Sequence, residues 1–217
     1  MHTIILVVIS VLLGLWSAPI EAQCDQCKGD FNGDGQVTVN EILVSVNNAL
    51  NDCPAPGPRF IDNGDGTVMD TKTGLLWEKK SADASIHDQD TTYTWSTGSP
   101  FGPDGTAFTT LLAALNHVPC FAGHCDWRLP TVTELQSLVD YRRFAPAIDP
   151  IFNTACAPGC TVMTCSCTGL DYYWSVTTPA DVGIPDNAWS VDFNYGYVSL
   201  FEKTLPAGHV RAVHGGL

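Results

Sequence analysis

Hydrophobic and polar positions divide the chain into a helical opening and a longer, strand-rich remainder. A mostly apolar run covers Ile4 to Trp16. Val39, Ile42, Leu43, Val46 and Leu50 then recur at helical spacing, predicting a helix of about three turns with one apolar stripe. Arg59–Asp62 and Thr67–Asp70 flank the Asn63–Gly66 turn and predict a hairpin. Thr73-Gly74 turns the chain into Leu75-Leu76-Trp77, and Ser81 to Gly105 is polar and turn-rich, a long loop. A helix is predicted over Ala107 to His117. A second opens at the capping box Thr131-Val132-Thr133-Glu134 and runs to about Tyr141, with Leu135, Leu138 and Val139 inward. Strands return at Tyr172–Ser175, and at Trp189, Val191 and Phe193, which alternate with Ser190 and Asp192. Asn194-Tyr195-Gly196 turns this strand into a partner over Tyr197–Lys203, and Val210–Val213 closes the chain. Strands at both ends with helices and long loops between them define the class α+β.

The apolar start changes the picture first. Ile4–Trp16 followed by Ser17-Ala18-Pro19-Ile20-Glu21-Ala22 reads as an export signal over residues 1–22, cleaved after Ala22. The run is shorter than the roughly 20 residues of a spanning helix, and no later segment is long and apolar enough for one. Export implies a secreted, cell-surface or periplasmic protein. A net charge of −13 excludes nucleic acid and anionic membranes as partners and suits a cation ligand. The nine cysteines of an exported chain are expected in disulfides, with at least one left over. Cys27 or Cys24 with Cys53 would bracket the first helix, and Cys120 with Cys125 would close a small loop. Pairing among Cys156, Cys160, Cys165 and Cys167 is open.

The segment before the first helix carries the sharpest chemistry. Asp30, Asn32 and Asp34 place side-chain oxygens at positions 1, 3 and 5 of a twelve-residue loop. Gly35 permits the turn at position 6, Gln36 offers its carbonyl at 7, Thr38 acts through water at 9, and Glu41 supplies two oxygens at 12. A hard cation needs six to eight oxygens, so the loop is expected to bind calcium. Only Gln23–Gly29 precede it, with two cysteines and a glycine, which leaves no entering helix. The module is half an EF-hand over residues 23–53 and resembles a single dockerin repeat. Asp62–Gly66 is no second loop, because Gly64 and Gly66 lack side-chain oxygens. Pro54-Ala55-Pro56-Gly57-Pro58 is a stiff linker to a domain over 59–217.

Other constellations are weighed against plainer readings. His117, Cys120, His124 and Cys125 have zinc-ligand chemistry, but the spacing fits no standard finger and export favours a disulfide. The same pairing would consume a cysteine nucleophile. Glu78 and Glu134 are a carboxylate pair of the glycosidase kind, yet Glu134 is explained by the helix cap and Glu78 by a strand end. Trp77, Trp127, Trp174 and Trp189 are expected in the core. Tyr195, at a hairpin tip, is the candidate for ligand contact. Arg128 is expected to tie strand ends together.

Three segments in order carry a family resemblance. They are Arg59–Asp70 with Thr73–Trp77, Asp126–Thr131 with Glu134-Leu135, and Tyr173–Ser175 followed by Ala188–Phe193. Over about residues 59 to 214 they resemble the C-terminal domain of the Legionella collagen-like protein, the Lcl C-terminal domain family. The Arg-Leu-Pro-Thr helix start and the Trp-rich strands are also similar to the C-type lectin-like fold. The resemblance implies a non-enzymatic surface or secreted recognition domain, an adhesin for polysaccharide in some members. It implies a glycan or surface-protein ligand here, and the dockerin-like repeat a cohesin-like partner in an extracellular assembly. The chain has no Gly-X-Y stretch. It also has Val176 after the Trp174 strand and His214 near the end, where the family pattern has a small hydroxyl residue and an arginine.

Overall fold

The computed structural model describes residues 38–50, 57–181 and 183–216. The chain divides at Pro58 into two units. Of the first, helix α1 (Val39–Leu50) is described, and it follows the expected period. It opens on a capping box, in which the Thr38 N–H and hydroxyl each donate to Glu41 Oε2 at 2.7 Å. The side chains of Val39, Ile42, Leu43 and Val46, four positions of the expected stripe, are exposed. Asp30, Asn32, Asp34 and Gln36 lie outside the described residues, as do Cys24, Cys27, Cys53 and the export segment.

The second unit holds two antiparallel sheets. Strands β1 (Phe60–Asp62), β2 (Thr67–Asp70), β3 (Leu75–Glu78) and β7 (Val213–His214) form one, in that order. Strands β4 (Tyr172–Trp174), β5 (Asn187–Asp192) and β6 (Tyr197–Glu202) form the other. Helix α2 is π-helical over Ala107–Leu112 and α-helical over Ala113–Leu115, and α3 is Val132–Ser137. Thr131 and Glu134 make the expected capping box.

Both sheets are covered on two faces, because neighbouring residues of one strand enter different apolar clusters. Leu76 packs with Trp95, Leu111, Trp127, Trp174 and Ala188, while Leu75 and Trp77 pack with Leu135, Phe152, Tyr173 and Val191. This corrects the reading of β5. Ser190 and Asp192, expected outward, are buried, and Trp189 is only half-buried. Trp77, Trp127 and Trp174 are in the core as expected. Helix α3 ends before Tyr141 because the chain turns to pair elsewhere. Val139 bridges Ile148, and Asp140 donates its N–H to Ala147 O at 3.1 Å.

The segment Val210–Val213, expected as one strand, belongs to a seam over His209–Val213 that joins the two sheets. His209 exchanges backbone bonds with β4, donating to Tyr172 O and accepting from Trp174 N. Glu78 N donates to Ala212 O at 3.0 Å, and Ala212 N donates to Glu78 Oε2 at 2.9 Å. Arg211, fully buried, donates to Glu78 O, Cys167 O and Thr168 Oγ1 at 2.7–2.9 Å. Lys80 Nζ and His87 Nδ1 lie 3.0 and 2.8 Å from Glu78 Oε1. Burial alone would raise the Glu78 carboxyl, but Lys80, His87 and the Ala212 N–H hold it down to about 2. Burial pulls the Lys80 ammonium below its ordinary range, against the attraction of Glu78. The partners thus differ on whether charge is favoured, and the carboxylate decides: three groups converge on it, whereas Lys80 Nζ makes one bond among the described residues.

Six cysteines are described, and all are bonded: Cys120–Cys125, as expected, and the nested pair Cys156–Cys167 and Cys160–Cys165. They staple loops that have little regular structure.

Because the folded value of Glu78 lies below its unfolded value of 4.5, its contribution is complete above that pH and is lost as the pH falls toward about 2. The loss from this one group is on the order of 3 kcal/mol. Urea titrations across that range check this. Glu78→Gln should be about 3–5 kcal/mol less stable at neutral pH, with a shallower acid slope. Equal acid slopes in the two proteins would contradict an ionised buried Glu78.

Candidate ligand-binding face

Tyr195 stands where expected, at the tip of the β5–β6 hairpin. Gly196 makes the turn at φ +83°, and its N–H donates to Asp192 O at 2.7 Å. The loop after α3 lies against this tip. Ala145 N donates to Asn194 O at 2.8 Å, and Ala147 N donates to Phe193 O at 2.7 Å. The Tyr141 ring covers Gly196 so closely that a Cβ there would meet it at 3.1 Å and Val139 Cγ1 at 2.5 Å. Glycine is therefore needed for space as well as for its dihedral.

The two segments that meet here carry four exposed aromatic side chains. Tyr195 is 53 % exposed, Tyr197 63 %, Tyr141 67 % and Phe144 77 %. The Tyr195 and Tyr197 rings are 5.9 Å apart. Of the shared-motif tryptophans, Trp77, Trp127 and Trp174 are buried and Trp189 is half-buried, so these four rings are more exposed than any of them. Beside Tyr141 is a depression of about 440 Å³, lined also by Arg59, Phe60, Arg142 and Asp149 among others.

Two arginines share one carboxylate at its rim. Arg142 donates through Nε and Nη2 to Asp140 Oδ1 and Oδ2, and Arg143 Nε is 3.4 Å from Oδ2. Hydrogen bonds from the Arg142 side chain and backbone, with both cationic charges, hold Asp140 down to about 2. Arg59 is committed elsewhere, to Asp70 and to Ser137 O, with its guanidinium 4.4 Å over the Phe60 ring. The depression thus balances positive against negative charge, in a chain whose net charge is −13.

A second concave surface has about the same size but different chemistry. Phe108, Leu112, Trp127, Leu129 and Val176 line an apolar groove of about 400 Å³. Its polar groups are already engaged. Both ends of the Asn116 amide bond the Trp127 backbone, and Arg128 binds Glu134 with both terminal nitrogens and also Gly215 O. Arg128, expected to tie strand ends together, instead ties the start of α3 to the chain just beyond β7.

The remaining candidates are also placed. Glu78 is locked in the seam and Glu134 in the helix cap and the Arg128 pair, so they are not brought together. Cys120 and Cys125 are oxidised, and His124 points instead toward Asp126 and His214. Thr38 and Glu41 meet at the start of α1, while the other calcium candidates lie outside the described residues. Sequence reasoning missed Tyr141, Arg142, Arg143 and Phe144. A signal was available, since this run holds two of only ten basic side chains, flanked by aromatics.

The architecture is α+β, with short antiparallel sheets carrying long loops stapled by disulfides. Residues 66–214 match the Lcl C-terminal domain, and the chain belongs to that family. No curated protein and no solved structure matched the chain.

Proposed function

We infer that the chain is an exported, non-enzymatic recognition protein whose C-type lectin-like domain binds a glycan or a protein through the Tyr195 face. The observation that carries this reading is the set of exposed rings, Tyr141, Phe144, Tyr195 and Tyr197, beside the Arg142–Asp140 pair. Aromatic faces stack on the apolar faces of sugars, and paired charges at the rim bond their hydroxyls. Large exposed apolar patches with polar rims mark interaction sites. The balanced local charge suits a neutral or singly acidic glycan better than a heavily sulfated one.

Calcium belongs to the amino-terminal module in the same reading. Asp30, Asn32, Asp34, the Gln36 carbonyl, Thr38 and Glu41 would hold the ion, which supplies a fixed positive centre and organises the loop. The support is the sequence spacing, together with Glu41 lying buried beside Thr38 at the expected end of the loop. A second reading has the module dock a cohesin-like partner. The exposed stripe Val39, Ile42, Leu43 and Val46 favours it.

Three outcomes follow for the full exported chain. On a glycan array it should bind a defined set of sugars, and Tyr195→Ala or Tyr141→Ala should weaken that binding about tenfold or more, roughly 1.4 kcal/mol, without lowering the melting temperature. Binding unchanged in both variants would remove this face from recognition. Calorimetry should give one calcium site with a dissociation constant on the order of 10⁻⁴–10⁻³ M, abolished in Glu41→Ala. If docking is the module's role, Leu43→Asp should release a cohesin-like partner while calcium binding persists.

A further inference from the structure

We propose that His124, Asp126 and His214 form a binding site for a divalent first-row transition ion of the zinc class, separate from the calcium loop. Three different parts of the chain bring them together. His124 follows the tight turn Phe121–Gly123, which contains Ala122 at φ 49° and is closed by the Cys120–Cys125 disulfide. Asp126 lies on the extended segment that follows. His214 is on β7, which is held against that segment by the reciprocal backbone bonds of Arg128 and Val213, each 3.0 Å. The disulfide and this pairing therefore fix the three positions before any ion arrives.

The local geometry is that of a ligand set in need of a centre. The two imidazole rings stack with centroids 4.0 Å apart. One nitrogen of each ring and an Asp126 oxygen all lie within 4.8 Å of one another. A single zinc ion bound at roughly 2.0–2.2 Å to each would draw such atoms to about 3.3 Å, and the stacked rings would turn about their side-chain bonds so that their in-plane lone pairs converge on it. His214 Nδ1 is buried and 2.7 Å from Asp126 Oδ1, yet it makes no hydrogen bond of acceptable direction. A buried ring nitrogen in that state is an unusual cost. Its in-plane lone pair is available to a metal instead. Asp126 is the most exposed of the three and leaves a way in.

Ligand type separates this site from the calcium loop. Two imidazoles and one carboxylate suit zinc, copper or nickel, whereas calcium takes oxygens. A net charge of −13 favours cation capture generally, but only nitrogen ligands select this class. The ion would clasp the carboxyl-terminal strand to the disulfide loop and keep at least one coordination position for water.

The test uses the full exported chain with its calcium loop saturated. Titration with Co²⁺ should give visible d–d absorption without thiolate charge transfer, and Zn²⁺ should displace it at one equivalent per chain. Asp126→Asn and His124→Ala, at an exposed and a half-buried position, should each weaken Zn²⁺ binding at least 20-fold. Excess Zn²⁺ should raise the melting temperature of the parent protein but not of these variants. Zn²⁺ affinity unchanged in both variants, or a thiolate charge-transfer band with all of the bound Co²⁺, would overturn the site. Absence of any Zn²⁺ binding at millimolar concentration would reduce the cluster to a His–Asp contact.

Discussion

The contact between Glu78 and the His209–Val213 segment is the interaction on which the rest of the domain depends. Its two sheets share no strand. They are joined where His209 bonds β4, Ala212 bonds Glu78, and Val213 pairs with Trp77. Arg211 lies inside this seam and spreads one guanidinium over three acceptors from Glu78, Cys167 and Thr168. A buried ion cluster is a poor source of net stability compared with apolar packing. Here its value is specificity of arrangement, since few other groups could meet that many acceptors at once.

The same logic recurs wherever loops enter the core. Long irregular segments carry carbonyls that no sheet ladder satisfies, and an unpaired buried carbonyl is costly. Tryptophan meets this need while filling volume. The indole N–H of Trp95 donates to Ser175 O, that of Trp127 to Phe121 O and that of Trp174 to Tyr93 O. Lys203 donates to Phe101 O and Pro185 O, and its ammonium sits 4.4 Å over the Trp95 ring. Apart from the local Trp127–Phe121 bond, each of these links residues distant in sequence and fixes a loop that disulfides alone would leave free to pivot. Rigid loops allow a recognition face to be preformed, which lowers the ordering cost of binding.

Much of this architecture was legible in the sequence, for reasons that are local. The β1–β2 hairpin, the Thr131 capping box, the Tyr195 turn and the Cys120–Cys125 loop each depend on residues within a few positions of one another. What was not legible depends on partners far along the chain. The Ser190 and Asp192 faces of β5 looked solvent-facing because alternation reports one covered side, and nothing local says that both sides are packed. Helix α3 stops early because Val139 finds Ile148. Tyr141 reads as a helix end, and only the fold brings the loop that follows it against Asn194. His214 stands out in sequence as a departure from the family pattern, but its neighbours His124 and Asp126 are set by strand pairing and a disulfide.

A seam that holds the loops rigidly would keep the proposed Tyr195 face preformed, and native-state hydrogen exchange at neutral pH reads that rigidity out. The amides of Cys167, Ala212, Ala145 and Ala147, each bonded across a loop junction, should exchange only through global unfolding, at the same free energy as the amides of central strand β5. Exchange of the Ala145 and Ala147 amides at a much lower free energy than β5 would contradict a preformed face. Early exchange at Ala212 and Cys167 would contradict the seam itself.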